Sequence, residues 1–261
     1  MRLLYFTDTH IRASNPKYRI DNYYESLKTK LQEIVQLVEL FSVDYLLHGG
    51  DLFDLPWPPA KAVQMSVDFL EQIKVPVYIV SGNHDLLGQK LSTIENTMLW
   101  FLASRGLFRL LSPGDKIYLK QAGFTLQLSG QHYNAGIDKE NKINSYCVKK
   151  KNCDIAIHIV HGMLLPQPFS PHVPATMIHQ VAPLTEADFT LCGHAHLGYP
   201  AEEIDGKIFI NPGSISRILA LEWELVRVPQ VVFLDFSGGK VQCQYIPLKS
   251  ARPGFEVLRF K

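Results

Sequence analysis

The sequence predicts an α/β protein in which two β-sheets pack together with helices on the outside. Two observations predict it. The first 80 or so residues run strand, helix, strand, helix, strand, with polar residues at each strand's C-terminal end, the edge where open α/β sheets bind ligands. From about residue 107 the texture changes to short strands, which calls for a second sheet. No internal repeat, low-complexity tract or linker divides the 261 residues, a length that suits one large domain or one domain with an appendage.

The elements follow in order. Residues 2–7 are an apolar run ending in Asp8-Thr9-His10, and residues 11–24, with Pro16 and several tyrosines, read as a loop. Leu27, Leu31, Ile34, Val35, Val38 and Phe41 recur at spacings of three and four and predict a helix over 25–41. A buried strand over 43–48 then delivers Gly49-Gly50-Asp51-Leu52-Phe53-Asp54 to a sheet edge. Pro56, Pro58 and Pro59 break the chain, and Val63, Val67, Leu70 and Ile73 mark a helix over 60–73. A strand over 75–80 ends in Ser81-Gly82-Asn83-His84-Asp85, and 91–105 reads as helical. Strands follow at 116–119 and 124–130, and after a polar loop at 154–160, which ends in His161-Gly162. A Pro-rich loop covers 164–176, and 188–192 runs into Gly193-His194-Ala195-His196. Strand Lys207–Ile210 leads to Asn211-Pro212-Gly213-Ser214, and strands near 229–236 and 240–246 flank Ser237-Gly238-Gly239 as a hairpin.

Composition narrows the class. Apolar residues make up 46% and charged residues 20%, the profile of a soluble globular protein. No membrane-length apolar run and no signal peptide are read. Cys147, Cys153, Cys192 and Cys243 form no Cys-x-x-Cys pair and read as reduced thiols of a cytoplasmic protein. A net charge of +1 advertises no overall basic surface, so nucleic-acid contact would rest on local patches.

Five strand ends carry metal-type ligands: Asp8 with His10, Asp51, Asn83 with His84, His161, and His194 with His196. Each block alone also fits a turn; their joint occurrence, each after an apolar strand, does not. Asp8-x-His10 and His194-x-His196 put two side chains on one face of an extended segment, so each pair can aim at one centre. Imidazole with carboxylate suits Mn, Fe, Zn or Ni, and an all-oxygen set would suit Mg or Ca. Seven ligands suffice for two ions if Asp51 bridges, and ions roughly 3.5–4 Å apart can hold a hydroxide and clamp a phosphate.

These blocks closely resemble those of the calcineurin-like metallophosphoesterases, over about residues 3–215. The resemblance implies a four-layer α-β-β-α sandwich with two divalent ions at the sheet edges. It implies that Asp8, His10 and His196 hold the first ion, Asp51 bridges, and Asn83, His161 and His194 hold the second. His84 would contact the phosphate and protonate the leaving oxygen, with Asp54 orienting and charging it. Protein-phosphatase members carry Arg-Gly after the second Asp of the Gly-Asp block, where this chain has Leu55-Pro56. Gly50-Asp51-Leu52-Phe53-Asp54 followed by Pro58-Pro59 is more similar to the SbcD type of DNA-repair nuclease subunit. That branch implies manganese, DNA as substrate, a homodimer and an SMC-like ATPase partner. Arg252-Pro253 and a strand-like Phe255–Phe260 resemble the passage into a small DNA-binding cap, so the expected organisation is a domain over 1–248 with a short extension over 249–261. The helices that would grip the ATPase are not found, and a stand-alone nuclease is compatible with the text.

Arg12, Lys17 and Arg19 could contact a phosphodiester backbone from the first loop, as could Lys149-Lys150-Lys151, or all could be solvated. His48 reads as a support for Asp51 or a strand histidine, His158 as structural, and Trp57 and Trp100 as core or platform. Two further functions compete with a nuclease: a nucleotide or cyclic-nucleotide phosphodiesterase or phosphomonoesterase, which the near-neutral charge favours, and a non-catalytic scaffold, which an intact ligand set disfavours.

Overall fold

The structure, a computed structural model, describes residues 1–170, 172–238 and 241–259, without the side chains of residues 140 and 141. It contains two mixed six-stranded sheets. The first takes β1 (Arg2–Phe6), β2 (Tyr45–His48), β3 (Val77–Ile79) and β4 (Arg109–Leu110) side by side and parallel. The second takes β5 (Ile117–Gln121), β6 (Phe124–Gln131), β7 (Ile155–Gly162), β10 (Phe189–His194), β12 (Lys207–Asn211) and β11 (Tyr199–Ile204). Within it β6, β7, β10 and β12 are parallel, and β5 and β11 are antiparallel edges. β13 (Gln230–Asp235) then returns to β1, antiparallel, and β14 (Gln242–Pro247) closes that edge. Residues 239 and 240 of the expected hairpin turn lie outside the described residues. A small parallel pair, β8 (Leu164–Leu165) and β9 (Thr176–Met177), lies in the Pro-rich loop.

Alternation along β1 explains why the sheets stack. Leu3 and Tyr5 enter the core between the sheets with Leu47, Leu128, Ile157, Leu191 and Val232. Leu4 and Phe6 face the opposite way, into a core built from helices α1 (Tyr23–Leu40), α2 (Ala60–Gln72) and α3 (Met98–Ser104). α1 starts where the Asn22 side chain accepts the Glu25 N–H, and buries Leu27, Leu31, Ile34 and Val38. The outer layer on the second sheet is thin, formed by the single turn α4 (Ile178–Val181) and a 3-10 segment over Glu140–Tyr146, packed on Val160, Cys192 and Phe209. Among the described residues, no helix is long and apolar enough to cross a membrane.

Two local expectations are corrected, and one strand was not foreseen. The helix expected over 91–105 is a 3-10 segment, Leu91–Asn96, and then α3, because Thr97 is extended and caps the Trp100 N–H. Strand β11 escapes the pattern because its polar, Pro200-containing edge shows no regular alternation. The strand-like 255–260 is instead a helical turn, α6 (Gly254–Val257), with Leu258 bridging to Arg19; Phe260 lies outside the described residues. A turn at α5 (Glu222–Val226) packs against it.

Candidate metal centre

Parallel strands with aligned C-terminal ends place the ligand-type residues. Asp8 and His10 follow β1, Asp51 follows β2 and Asn83 follows β3, all on the first sheet. His161 ends β7, and His194 and His196 lie at the end of β10, its neighbour in the second sheet, where Gly193 pairs with His161. Hydrogen bonds tie the sheets at this edge. The His161 Nδ1–H donates to the Gly49 carbonyl at 2.7 Å, and the His194 N–H donates to the Asp8 carboxylate at 3.0 Å.

The side chains meet in overlapping groups. Asp8, His10, Asp51 and His196 form one; Asp51, His161 and His194 form another; Asp51 belongs to both. Asn83 joins the second, its Oδ1 lying 3.3 Å from His161 Nε2. A third group brings His10, Asp54 and His84 together. His10 Nε2 lies 3.0 Å from His196 Nε2 and 3.7 Å from Asp51 Oδ2, and His161 Nε2 lies 3.4 Å from the same oxygen. Asp51 Oδ1 accepts the His84 N–H at 2.7 Å, whereas Oδ2, fully buried, has no hydrogen-bond partner among the described residues. Burial of an unpartnered carboxylate oxygen among facing imidazole nitrogens is costly unless a cation sits between them. The residues therefore fit divalent ions, with Asp51 placed to bridge.

Electrostatics agree with a cation site. Burial alone would raise the Asp8 and Asp51 carboxyls, but His196 acting on Asp8 and His161 acting on Asp51 hold both below the usual range. Burial works against a charged His161, yet Asp51 and Asp8 push it up to about 9, while burial and the His161 charge push His194 down to about 4. Backbone geometry is equally unusual: Asp8, His10, Asp51 and His194 have φ of 54°, 47°, 53° and 78°. Left-handed backbone costs a non-glycine residue about 1–2 kcal/mol, and here it turns the side chains inward at the sheet edge.

The partner of His84 differs from expectation. Its Nδ1–H donates to the Asp54 backbone carbonyl at 3.1 Å, and the Asp54 carboxylate turns instead to Arg12 Nη1 at 2.9 Å and His10 Nδ1 at 3.6 Å. A guanidinium competes better than a neutral imidazole for a carboxylate. Arg12 is thus half-buried beside the site and Lys17 is exposed. Arg19 is not available to a substrate: its guanidinium is buried, pairs with Asp21 at 2.6 Å and donates to the Arg217 carbonyl. Lys30 and Arg227 donate likewise to the carbonyls of Ser214, Ile215 and Ser216, so four consecutive carbonyls are held by basic side chains.

Several supporting residues escaped sequence reasoning. The Ser214 and Ser216 hydroxyls donate to the Asp8 carbonyl, and the Thr7 hydroxyl to its carboxylate. Asp85, fully buried, accepts the N–H groups of Leu52, Phe53 and Gly82, and burial with the Asp51 charge pushes its carboxyl up to about 7. Its place at the end of the Gly82-Asn83-His84-Asp85 block was the available signal. His48 bonds Thr9 and accepts the Gly50 N–H; His158 bonds Ser129 and Ser145; Trp57 and Trp100 remain partly exposed.

Sheet architecture and clustered carboxylate–imidazole groups are those of a metallophosphoesterase-type fold. The chain belongs to the calcineurin-like phosphoesterase family, whose match covers residues 1–198. It is 26% identical over 248 residues to a DNA double-strand break repair protein Mre11 of Methanocaldococcus jannaschii, across 91% of this chain and 63% of that one. It is 25% identical over 210 residues to an uncharacterized metallophosphoesterase, YhaO, of Bacillus subtilis, across 75% of this chain and 48% of that one. The chain therefore spans less than two thirds of the length of these curated relatives. A dimetal phosphatase from Danio rerio shares the fold with a TM-score of 0.61 at 12% identity, covering 95% of this chain and 96% of that one.

Proposed function

We propose that the protein is a two-metal phosphodiesterase acting on DNA, with manganese as its metal. The carrying observation is that Asp51 belongs to both ligand groups while His84 stands beside them. Asp8, His10, Asp51 and His196 would hold one ion, and Asp51, Asn83, His161 and His194 the other. When bound, the pair supplies a water-derived nucleophile and neutralises charge on the phosphoryl oxygens. The chain's own groups do the rest. A carbonyl can only accept, so Asp54 fixes the His84 proton on Nδ1 and leaves Nε2 to carry a proton to the leaving oxygen. The Asp54 carboxylate places its charge 3.6 Å from His10 Nδ1, and Arg12 and Lys17 meet the phosphate backbone.

The name carried by the Methanocaldococcus relative supports DNA as substrate. A homodimer, an SMC-like ATPase partner, a cytoplasmic location and a domain over 1–248 with an extension over 249–261 complete this reading. One observation favours a small nucleotide substrate instead: among the described residues, no Lys or Arg lines the cleft beside the clusters. Incubation of end-labelled single- and double-stranded DNA with manganese, magnesium or chelator separates the two. Metal-dependent cleavage that disappears in His84→Ala is the expected result. Intact DNA alongside hydrolysis of bis(p-nitrophenyl) phosphate overturns the nuclease reading.

A further inference from the structure

We infer that the cleft beside the clusters binds the nucleobase of an unpaired nucleotide whose phosphate lies at the clusters, an inference that rests on the phosphodiesterase reading above. The cleft holds about 500 Å³ and has His84, Asn83 and His194 among its lining residues, a volume typical of small-ligand sites. Its walls come from three segments, 163–169 after β7, 195–199 between β10 and β11, and 219–223 running into the start of α5. Phe169, Leu197, Leu219 and Leu221 line it while 55%, 44%, 39% and 42% exposed. Large apolar side chains gathered in the open beside a polar cluster mark a binding surface.

Charge and shape select the occupant. A duplex or a run of nucleotides presents a row of phosphates and is held by cations along its path. The described lining residues include no Lys or Arg. A single base is flat and neutral, and it stacks on apolar and aromatic walls. Trp223 also lines the cleft and adds an aromatic wall.

The test uses the manganese-loaded full chain and two hydrolysis-resistant ligands, the 5′-methylenephosphonate of thymidine and its abasic counterpart, titrated calorimetrically. The base is expected to tighten binding about ten-fold. The difference should vanish in the double variant Phe169→Ser, Leu221→Ser and shrink several-fold in Trp223→Leu, with thermal melts verifying that each variant is folded. Equal affinities for the two ligands in the natural sequence overturn the inference, as does a base effect that survives the double variant. A base effect without DNA cleavage keeps the cleft assignment and removes the nuclease reading; cleavage with equal affinities does the reverse.

Discussion

The Asp54 carbonyl oxygen lies 3.1 Å from His84 Nδ1, while the Asp54 carboxylate faces His10 and Arg12. One residue thus serves two histidines with two different groups, and substitution separates them. Asp54→Asn keeps the carbonyl and loses the charge behind His10. Outer partners of a ligating histidine are worth roughly 10–100-fold in metal affinity. Manganese titration should therefore show weakened binding of about that size. If Asp54→Asn bound metal normally and lost only turnover, its carboxylate would be acting on His84 after all.

His84→Ala should lower kcat by roughly 10²–10⁴-fold, the range for loss of a general acid. Because His84 lies outside both Asp51-centred groups, metal content measured by elemental analysis should remain at two ions per chain. Loss of both ions would contradict its assignment as proton donor.

Metal loading should stabilise the fold. Ligand at a hundred times its Kd adds about 2.7 kcal/mol to unfolding. Adding manganese to chelated protein should raise the thermal midpoint, and Asp51→Ala, which removes the shared carboxylate, should abolish the shift. A midpoint indifferent to manganese in the natural sequence would argue against the site.

Gly82 presses on Asp51. A Cβ there would meet the Asp51 carboxylate and backbone nitrogen, whereas one at Gly238 would meet nothing within 4 Å among the described residues. Gly82→Ala should therefore lose manganese affinity and thermal stability together, while Gly238→Ala stays within about 0.5 kcal/mol of the natural sequence. Equal behaviour of the two would show that the Asp51 loop can shift freely.

His158 gives the pH dependence. Burial pushes it down to about 4, against roughly 6.5 in an unfolded chain. Between those values the unfolded state binds a proton that the folded state refuses. Its contribution is thus complete above about pH 6.5 and lost as pH falls toward 4, with a slope of up to about 1.4 kcal/mol per pH unit. Urea midpoints of chelated protein from pH 4.5 to 7.5 should show a shallower slope in His158→Gln. His132 and His48, also pushed down by burial, retain the remainder.

The early strands and helices were legible because their faces are buried: the stripe from Leu27 to Val38 and the run Tyr45–Leu47 leave little choice of element. The ligand blocks were legible because the last residues of apolar strands must converge once parallel strands align. What stayed hidden depends on competition in three dimensions. Nothing near Arg19 in sequence reveals that its guanidinium folds inward to a carbonyl of Arg217, 198 residues away. Nor does the Gly-Asp-x-x-Asp spacing reveal that Arg12 captures the second carboxylate. At Thr97 a side-chain cap overrode a helical pattern that otherwise continued.

The proposed ligands divide between layers, Asp8, His10, Asp51 and Asn83 from one sheet and His161, His194 and His196 from the other. Neither layer owns a whole coordination set. A nascent or half-unfolded chain, with one layer formed, would have no assembled centre. Under the proposed function, competence to hydrolyse would arrive only once both layers have docked, and the architecture would act as a safety catch.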